Sequence, residues 1–216
     1  MRNNVVRQSE HLRTILDIQY DYLNGLAEEI GKTDHLLAKK NMNLIKSITK
    51  HTDFGGTALI KPNGDAHYDN GLIKNLSHRR YFKEVISGKR TLSDPLDSSI
   101  SGSTRVVLGV PIYNSKHKVI GALGGSYDVT ALSRMLFEDL FNGQGCSMII
   151  AQNGEIIAFE GDTSYWNLDY RDNFYKYCCK WIIKDKVTVK KIKQDFKEGK
   201  ELSLIHISEP TRLRRI

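Results

Sequence analysis

Two eleven-residue segments, Ala58 to Tyr68 (ALIKPNGDAHY) and Met148 to Ala158 (MIIAQNGEIIA), share one pattern: a β-rich apolar run, a turn ending in Asn-Gly, and a second short run. Asn-Gly between such runs is the strongest short-range hairpin signal, because glycine and asparagine tolerate the left-handed backbone a tight turn demands. Gly64 and Gly154 stand ninety residues apart. That period is too long for a solenoid and suits two related domains in tandem. A chain of 216 residues has room for two small domains and not for a large multidomain enzyme.

Helix precedes the first hairpin. From Arg2 to about Ile30, apolar residues such as Leu12, Ile15, Leu16, Leu23 and Leu26 recur at helical spacing, which predicts an amphipathic helix. Gly31 and Thr33-Asp34 read as a stop and a new N-cap, with a second apolar stripe running to Lys50. After the hairpin the spacing predicts a short helix over Arg80 to Ile86 and a polar loop from Thr91 to Thr104. Strands follow over Val106 to Tyr113 and Val119 to Tyr127, with Pro111 tolerable only at an edge or bulge. Asp128 or Thr130 caps a helix reaching about Leu140, the second hairpin comes next, and helical patterns cover Asp172 to Ile183 and Val187 to Glu198. The fold class is therefore α+β.

Composition narrows the function. At 40% apolar and 26% charged, the chain is ordinary globular material, with no run near the ~18 to 20 apolar residues of a membrane helix. Cys146, Cys178 and Cys179 are too few and too badly spaced for a disulfide framework or a zinc site, and no histidine pairs with Cys or Glu at metal-ligand spacing, so no metal and no cofactor are expected. Gly121, Gly124 and Gly125 lie inside a strand rather than at a turn opening a helix, so they mark packing or pocket space and not a dinucleotide fingerprint. Ser47 and Lys50 match a Ser-x-x-Lys spacing by chance, with no partner motif, and no catalytic nucleophile emerges. The formal charge of +7 invites a nucleic-acid reading, strongest at the lysines between Lys184 and Lys200. Yet Val189, Ile192 and Phe196 form an apolar stripe there, which makes the lysines a solvated helix face.

Further motifs run in a fixed order: LSHRRYF (Leu76 to Phe82), SGK (Ser87 to Lys89), LSDP (Leu92 to Pro95), VVLGVPIY (Val106 to Tyr113) and VIGALGG (Val119 to Gly125). Behind a long helix and an Asn-Gly hairpin, this order resembles the double Cache domain, the PAS-like extracytoplasmic sensor of bacterial histidine kinases, diguanylate cyclases and chemoreceptors. The resemblance covers almost all of Val5 to Glu201. It implies an N-terminal helical stalk (residues 1–50), a membrane-distal PAS-like ligand-binding domain (51–140) and an incomplete membrane-proximal lobe (141–201). It further implies a small-molecule ligand, no catalysis, dimerisation through the N-terminal helix, and a membrane span upstream of Met1, outside this chain. The receptor's output domain would lie beyond Glu201. Leu202 to Arg212 (LSLIHISEPTR) resembles the translation of a sequencing adapter, which implies that residues 202–216 are non-native. Without that tail, which holds three arginines and one glutamate, the net charge falls to +5.

The resemblance also assigns residues. Arg79 matches an arginine at the head of the short helix, where a planar guanidinium suits a carboxylate. Tyr81 and Phe82 match an aromatic pair, read equally as pocket walls or as core. Ser93 and Asp94 match a loop closing over the pocket, and Asp-Pro is also a plain turn signal. Ser126 stands where amino-acid-binding members carry an aspartate for the ligand's ammonium, so a carboxylate or another small polar ligand fits better than an α-amino acid. Two other readings stay open: a cytoplasmic PAS-type cofactor or interaction module, and a basic nucleic-acid-binding protein whose affinity would fall steeply with salt.

Overall fold

The computed structural model describes residues 2–33, 35–97, 104–137, 146–151, 153–161, 173–177 and 186–198. The pair Cys178-Cys179 and the tail 202–216 lie outside the described residues. Two helices, α1 (Arg2–Gly31) and α2 (Lys39–His51), lead into β1 (Gly56–Ile60), β2 (Asp65–Tyr68) and β3 (Ile73–Asn75). Helix α3 (Arg80–Ile86) and the two-residue strands β4 (Thr91–Leu92) and β5 (Leu96–Asp97) come next, followed by the ten-residue strands β6 (Thr104–Tyr113) and β7 (Val119–Asp128). Helix α4 (Val129–Phe137) connects to β8 (Cys146–Ile150), β9 (Ile156–Gly161), α5 (Phe174–Tyr177) and α6 (Lys186–Lys197). No helix among the described residues is long and apolar enough to cross a membrane.

The first seven strands form one antiparallel sheet in the order β3-β2-β1-β7-β6-β4, with β5 also on β6. Alternation gives each long strand two faces. Val106, Leu108, Val110 and Ile112 of β6, Leu59 of β1, and Leu123 and Tyr127 of β7 join Leu23, Ile30, Ile45 and Ile48 of α1 and α2 in the main core. The intervening residues Ala58, Ile60 and Ala122 face the other way and pack with Tyr81, Phe82 and Val85 of α3. The sheet is thus a partition, with long helices behind it and α3 in front.

Two contacts fasten the rear layer. Tyr127 donates its hydroxyl hydrogen bond to Gln19 Oε1 of α1 at 2.7 Å, 108 positions away in sequence. The Phe54 ring lies 4.5 Å from that of Tyr127, centroid to centroid, and a Cβ on Gly125 would meet Phe54 Cε1 at 2.5 Å. At the sheet edge Arg90, following α3, reaches back to α1, where it pairs with Asp17 at 2.8 Å and sits 4.9 Å above the Tyr20 ring.

The two Asn-Gly turns are built alike, bond for bond. In the first, Gly64 N–H donates to Lys61 O, Asp65 N–H to Asn63 Oδ1, and Asn75 Nδ2 to Asn63 O. In the second, Gly154 N–H donates to Ala151 O, Glu155 N–H to Asn153 Oδ1, and Asn173 Nδ2 to Asn153 O. Leu76 N–H to Gly64 O and Phe174 N–H to Gly154 O, both 2.8 Å, complete the match. Gly64 and Gly154 have φ of +93° and +90°, whereas neither Asn63 nor Leu59 to Asp65 otherwise leaves negative φ. The first turn is consequently a type I turn closed by a left-handed glycine, which also explains Pro62 at its second position.

Several boundaries differ from the sequence reading. Helix α2 begins at Lys39, not at a Thr33-Asp34 cap, because Asn41 Nδ2 donates to Thr33 Oγ1, His35 O and Leu36 O and so holds that segment as a connector. The stretch expected as loop contains β4 and β5, which use the outer edge of β6. Pro111 lies beyond the last β4 partner, Gly109, and beside the irregularity at Ile112/Tyr113, so its missing N–H costs no ladder bond. Asp128 caps α4 as expected, its Oδ1 accepting from Thr130 N–H at 2.9 Å.

Candidate ligand-binding site

The front face of the sheet is legible row by row from the strand register. One row runs Thr91, Gly109, Gly124, Ala58, Tyr68 across β4, β6, β7, β1 and β2. The next, two residues along, runs Val107, Ser126, Gly56, and the one after it pairs Arg105 with Asp128. The middle of this face is therefore glycine and alanine, while its ends carry hydroxyls and a guanidinium. Thr91 is only 5% exposed, and its Oγ1 has no hydrogen-bond partner among the described residues. An orphaned buried hydroxyl costs about 1–3 kcal/mol, which a bound polar group would recover.

Helix α3 stands over this floor. Arg79 occupies its N-cap with extended backbone, and its side chain caps no N–H of the helix. A cleft of about 300 Å³ opens between α3 and the β4–β5 connection, lined by His78, Arg79, Arg80, Tyr81, Glu84, Leu92, Ser93, Asp94 and Leu96. Its charges do not cancel evenly. Arg80 Nε binds Glu84 Oε1 at 3.0 Å and feels Asp94 as well, which raises its pKa. The guanidinium of Arg79, half-buried, pairs with no carboxylate and donates no hydrogen bond among the described residues, whereas its backbone N–H donates to Leu76 O at 2.9 Å. Its charge instead acts on two phenols: burial raises the pKa of Tyr68, and of Tyr81 more strongly, while Arg79 lowers both. Both phenols thus stay protonated at neutral pH and remain donors beside the cation.

Of the residues singled out in the sequence, Arg79, Tyr81, Ser93 and Asp94 come together on this cleft. Phe82 is buried on the same helix within the front cluster and does not line the cleft. Ser93 Oγ accepts from Val107 N–H and donates to Asp94 O, both at 2.8 Å, so it pins the connection to β6 and positions Asp94. Ser126 lies on the sheet floor, where its hydroxyl donates to Gly56 O and accepts from Arg105 Nη1. Tyr68, Thr91 and Arg105 were not singled out. Their signal is phase: Arg105 alternates with Val106 and Leu108, and so shares a face with Val107 and Gly109.

Neither a family model nor a curated protein matches the chain. Solved structures do. The ligand-binding domain of the Pseudomonas fluorescens chemoreceptor CtaA, in complex with L-serine, superposes with a TM-score of 0.59 at 14% identity, covering 76% of this chain and 75% of that one. This is a Cache-type sensor fold. The Cache domain of the Pseudomonas aeruginosa chemoreceptor PctC, in complex with GABA, gives 0.56 at 13% identity over 71% and 73% of the two chains. That of Campylobacter jejuni Tlp3, in complex with L-valine, gives 0.54 at 14% identity over 78% and 76%. In the Cache arrangement of this chain, the cleft under α3 lies on the opposite face of the sheet from α1.

Proposed function

We propose that this chain is the ligand-binding part of a bacterial membrane receptor, an extracytoplasmic sensor without catalysis of its own, whose small-molecule ligand docks a carboxylate on Arg79. The observation that carries this reading is the uncompensated guanidinium of Arg79 beside Tyr68 and Tyr81 on a Cache-type scaffold. GABA, L-serine and L-valine, the ligands named for the similar domains, share a carboxylate. A charge-assisted pair at a half-buried cation is worth more than one in open water. Ligand binding biases the front layer around α3, and α1 carries the change onward, with Arg90 bridging the two at the sheet edge.

Dimerisation through α1 fits the same picture. Ile18 and Tyr22 are 58% and 42% exposed, and Gly25, one turn on, has nothing within 4 Å of where a Cβ would stand. The protein's own packing gives that glycine no purpose, whereas a second helix could approach closely there.

Thermal-shift measurement with a panel of small carboxylates and amines tests the site. Carboxylates should raise the melting temperature of the wild type and not that of Arg79→Ala. Equal stabilisation of both proteins, or stabilisation by amines alone, would remove Arg79 from the site.

A further inference from the structure

Another cavity, of about 590 Å³, lies on the helix face of the sheet, where the α1–α2 connection passes the end of β1 and the β6–β7 turn. It shares no residue with the cleft under α3. Leu36, Leu37 and Ile120 give it an apolar wall that packs against the rear core. Lys32, Lys61 and Lys116 also line it, with the His35 imidazole beside them, and among the described residues no carboxylate does. A space of metabolite size with one apolar side and charges of a single sign has the makings of an anion site.

The carboxylates nearby are already engaged. Glu29 takes Lys32 at 3.1 Å and Lys40 at 2.8 Å, so two ammonium groups share one acid. Asp65, on which the charge of Lys61 acts, accepts from Asn63 Nδ2 on one oxygen and from Asn75 Nδ2 on the other. Among the described residues the ammonium groups of Lys61, half-buried, and Lys116 enter no ion pair and donate no hydrogen bond. The negative end of the α1 dipole also points here, but it amounts to about half a charge, less than one unshared ammonium. The rim is locked in advance of any ligand. Asn114 Oδ1 accepts from the N–H of Lys116 at 3.1 Å and of Lys118 at 2.9 Å, and His117 holds a left-handed φ of +54° that few side chains adopt. Opposite, a Cβ on Gly31 would collide with Tyr113 O, so the end of α1 seats directly on the end of β6 beside that turn. Walls fixed before binding lower the ordering cost of capturing a ligand.

We infer that this cavity is a second ligand site, one that takes a phosphate monoester with its dianionic head among Lys32, Lys61 and Lys116 and its organic body on Leu36, Leu37 and Ile120. Ammonium groups act as point charges and suit a phosphate, which presents oxygens in several directions, whereas a planar guanidinium suits a carboxylate. The site lies across the sheet from Arg79, so it goes beyond the sensor reading and does not depend on it.

Isothermal titration of the chain with phenyl phosphate, inorganic phosphate and phenol tests the site. Phenyl phosphate should bind most tightly, inorganic phosphate about tenfold or more weakly because it leaves the apolar wall uncovered, and phenol not measurably at the same concentrations. Lys61→Ala and Lys116→Ala should each weaken phenyl phosphate about tenfold, the effect of losing one charged hydrogen bond, while Arg79→Ala leaves it unchanged. Lys61→Gln serves if the alanine variant is unstable, since it keeps most of the side chain without the charge. If neither lysine variant weakens binding, or if the wild type binds no phenyl phosphate at millimolar concentration, the inference fails. If Arg79→Ala abolishes binding, phosphate esters enter the cleft under α3 and the second site is wrong. Inorganic phosphate bound as tightly as the ester would reduce the site to an adventitious ion only. In each of these failures, carboxylate stabilisation that depends on Arg79 still stands as the separate test of the sensor reading.

Discussion

At Gly125 the absence of one methyl group lets the Phe54 ring lie against the sheet, since a Cβ there would sit 2.5 Å from the ring. Gly125→Ala should cost about 1–3 kcal/mol in urea denaturation, the usual penalty for overpacking. Gly124, its immediate neighbour, projects the other way and has room for a methyl. Gly124→Ala should leave stability unchanged or slightly raised, because alanine loses less entropy on ordering than glycine. Opposite signs at adjacent glycines would be hard to obtain if the front face were ordinary core. The sequence reading grouped Gly121, Gly124 and Gly125 as packing or pocket space, and strand phase now separates them. Gly121 and Gly125 meet Leu36 and Phe54 on the helix side, and Gly124 faces α3. Arg79 was singled out through the resemblance, and it heads α3 on the edge of the cleft. Arg105 was not, since its place over Gly56 depends on β7 lying between β6 and β1, a pairing that joins residues seventy positions apart.

Among the elements, the long periodic ones, the first hairpin and the short helix α3 were legible, and the two-residue strands were not. Helix α1 and the strands β6 and β7 fall within two residues of their expected bounds, because a period repeated over ten residues or more is hard to mistake. Two-residue strands such as β4 and β5 have no period to read. The hairpin glycines were legible, but the asparagines that lock them, Asn75 and Asn173, carry no local signal and act only through the folded turn. Asp65 gives the first lock a pH dependence. Its carboxylate accepts from Asn75 Nδ2 at 2.9 Å and Asn63 Nδ2 at 2.8 Å, which lowers its pKa from the ordinary 3.8. A depressed folded pKa means a contribution that is present above the unfolded value and lost as pH falls through the folded one. Between about pH 5 and about pH 2, the stability difference between wild type and Asp65→Asn should therefore shrink. A gap that stays constant across that range in denaturant titrations would mean that the lock does not depend on the charge of Asp65.

For the molecule as a whole, the proposed dimer through α1 is tested at the face that its own sheet leaves open. Tyr22→Glu should shift a dimeric chain toward monomer in sedimentation velocity while sparing the melting temperature, because Tyr22 is already 42% exposed. Loss of folding instead would assign Tyr22 to the core. The two halves of the chain share more than a hairpin. In each, an asparagine returns to fasten the turn, from eleven residues past Gly64 in one and nineteen past Gly154 in the other. The fastening uses groups of the turn itself and one returning asparagine, so it does not depend on the number of residues between them. Such a clasp lets either copy acquire or shed a surface excursion without refolding. A peptide epitope spliced in beside Asn70 should ride there with the architecture beneath it undisturbed.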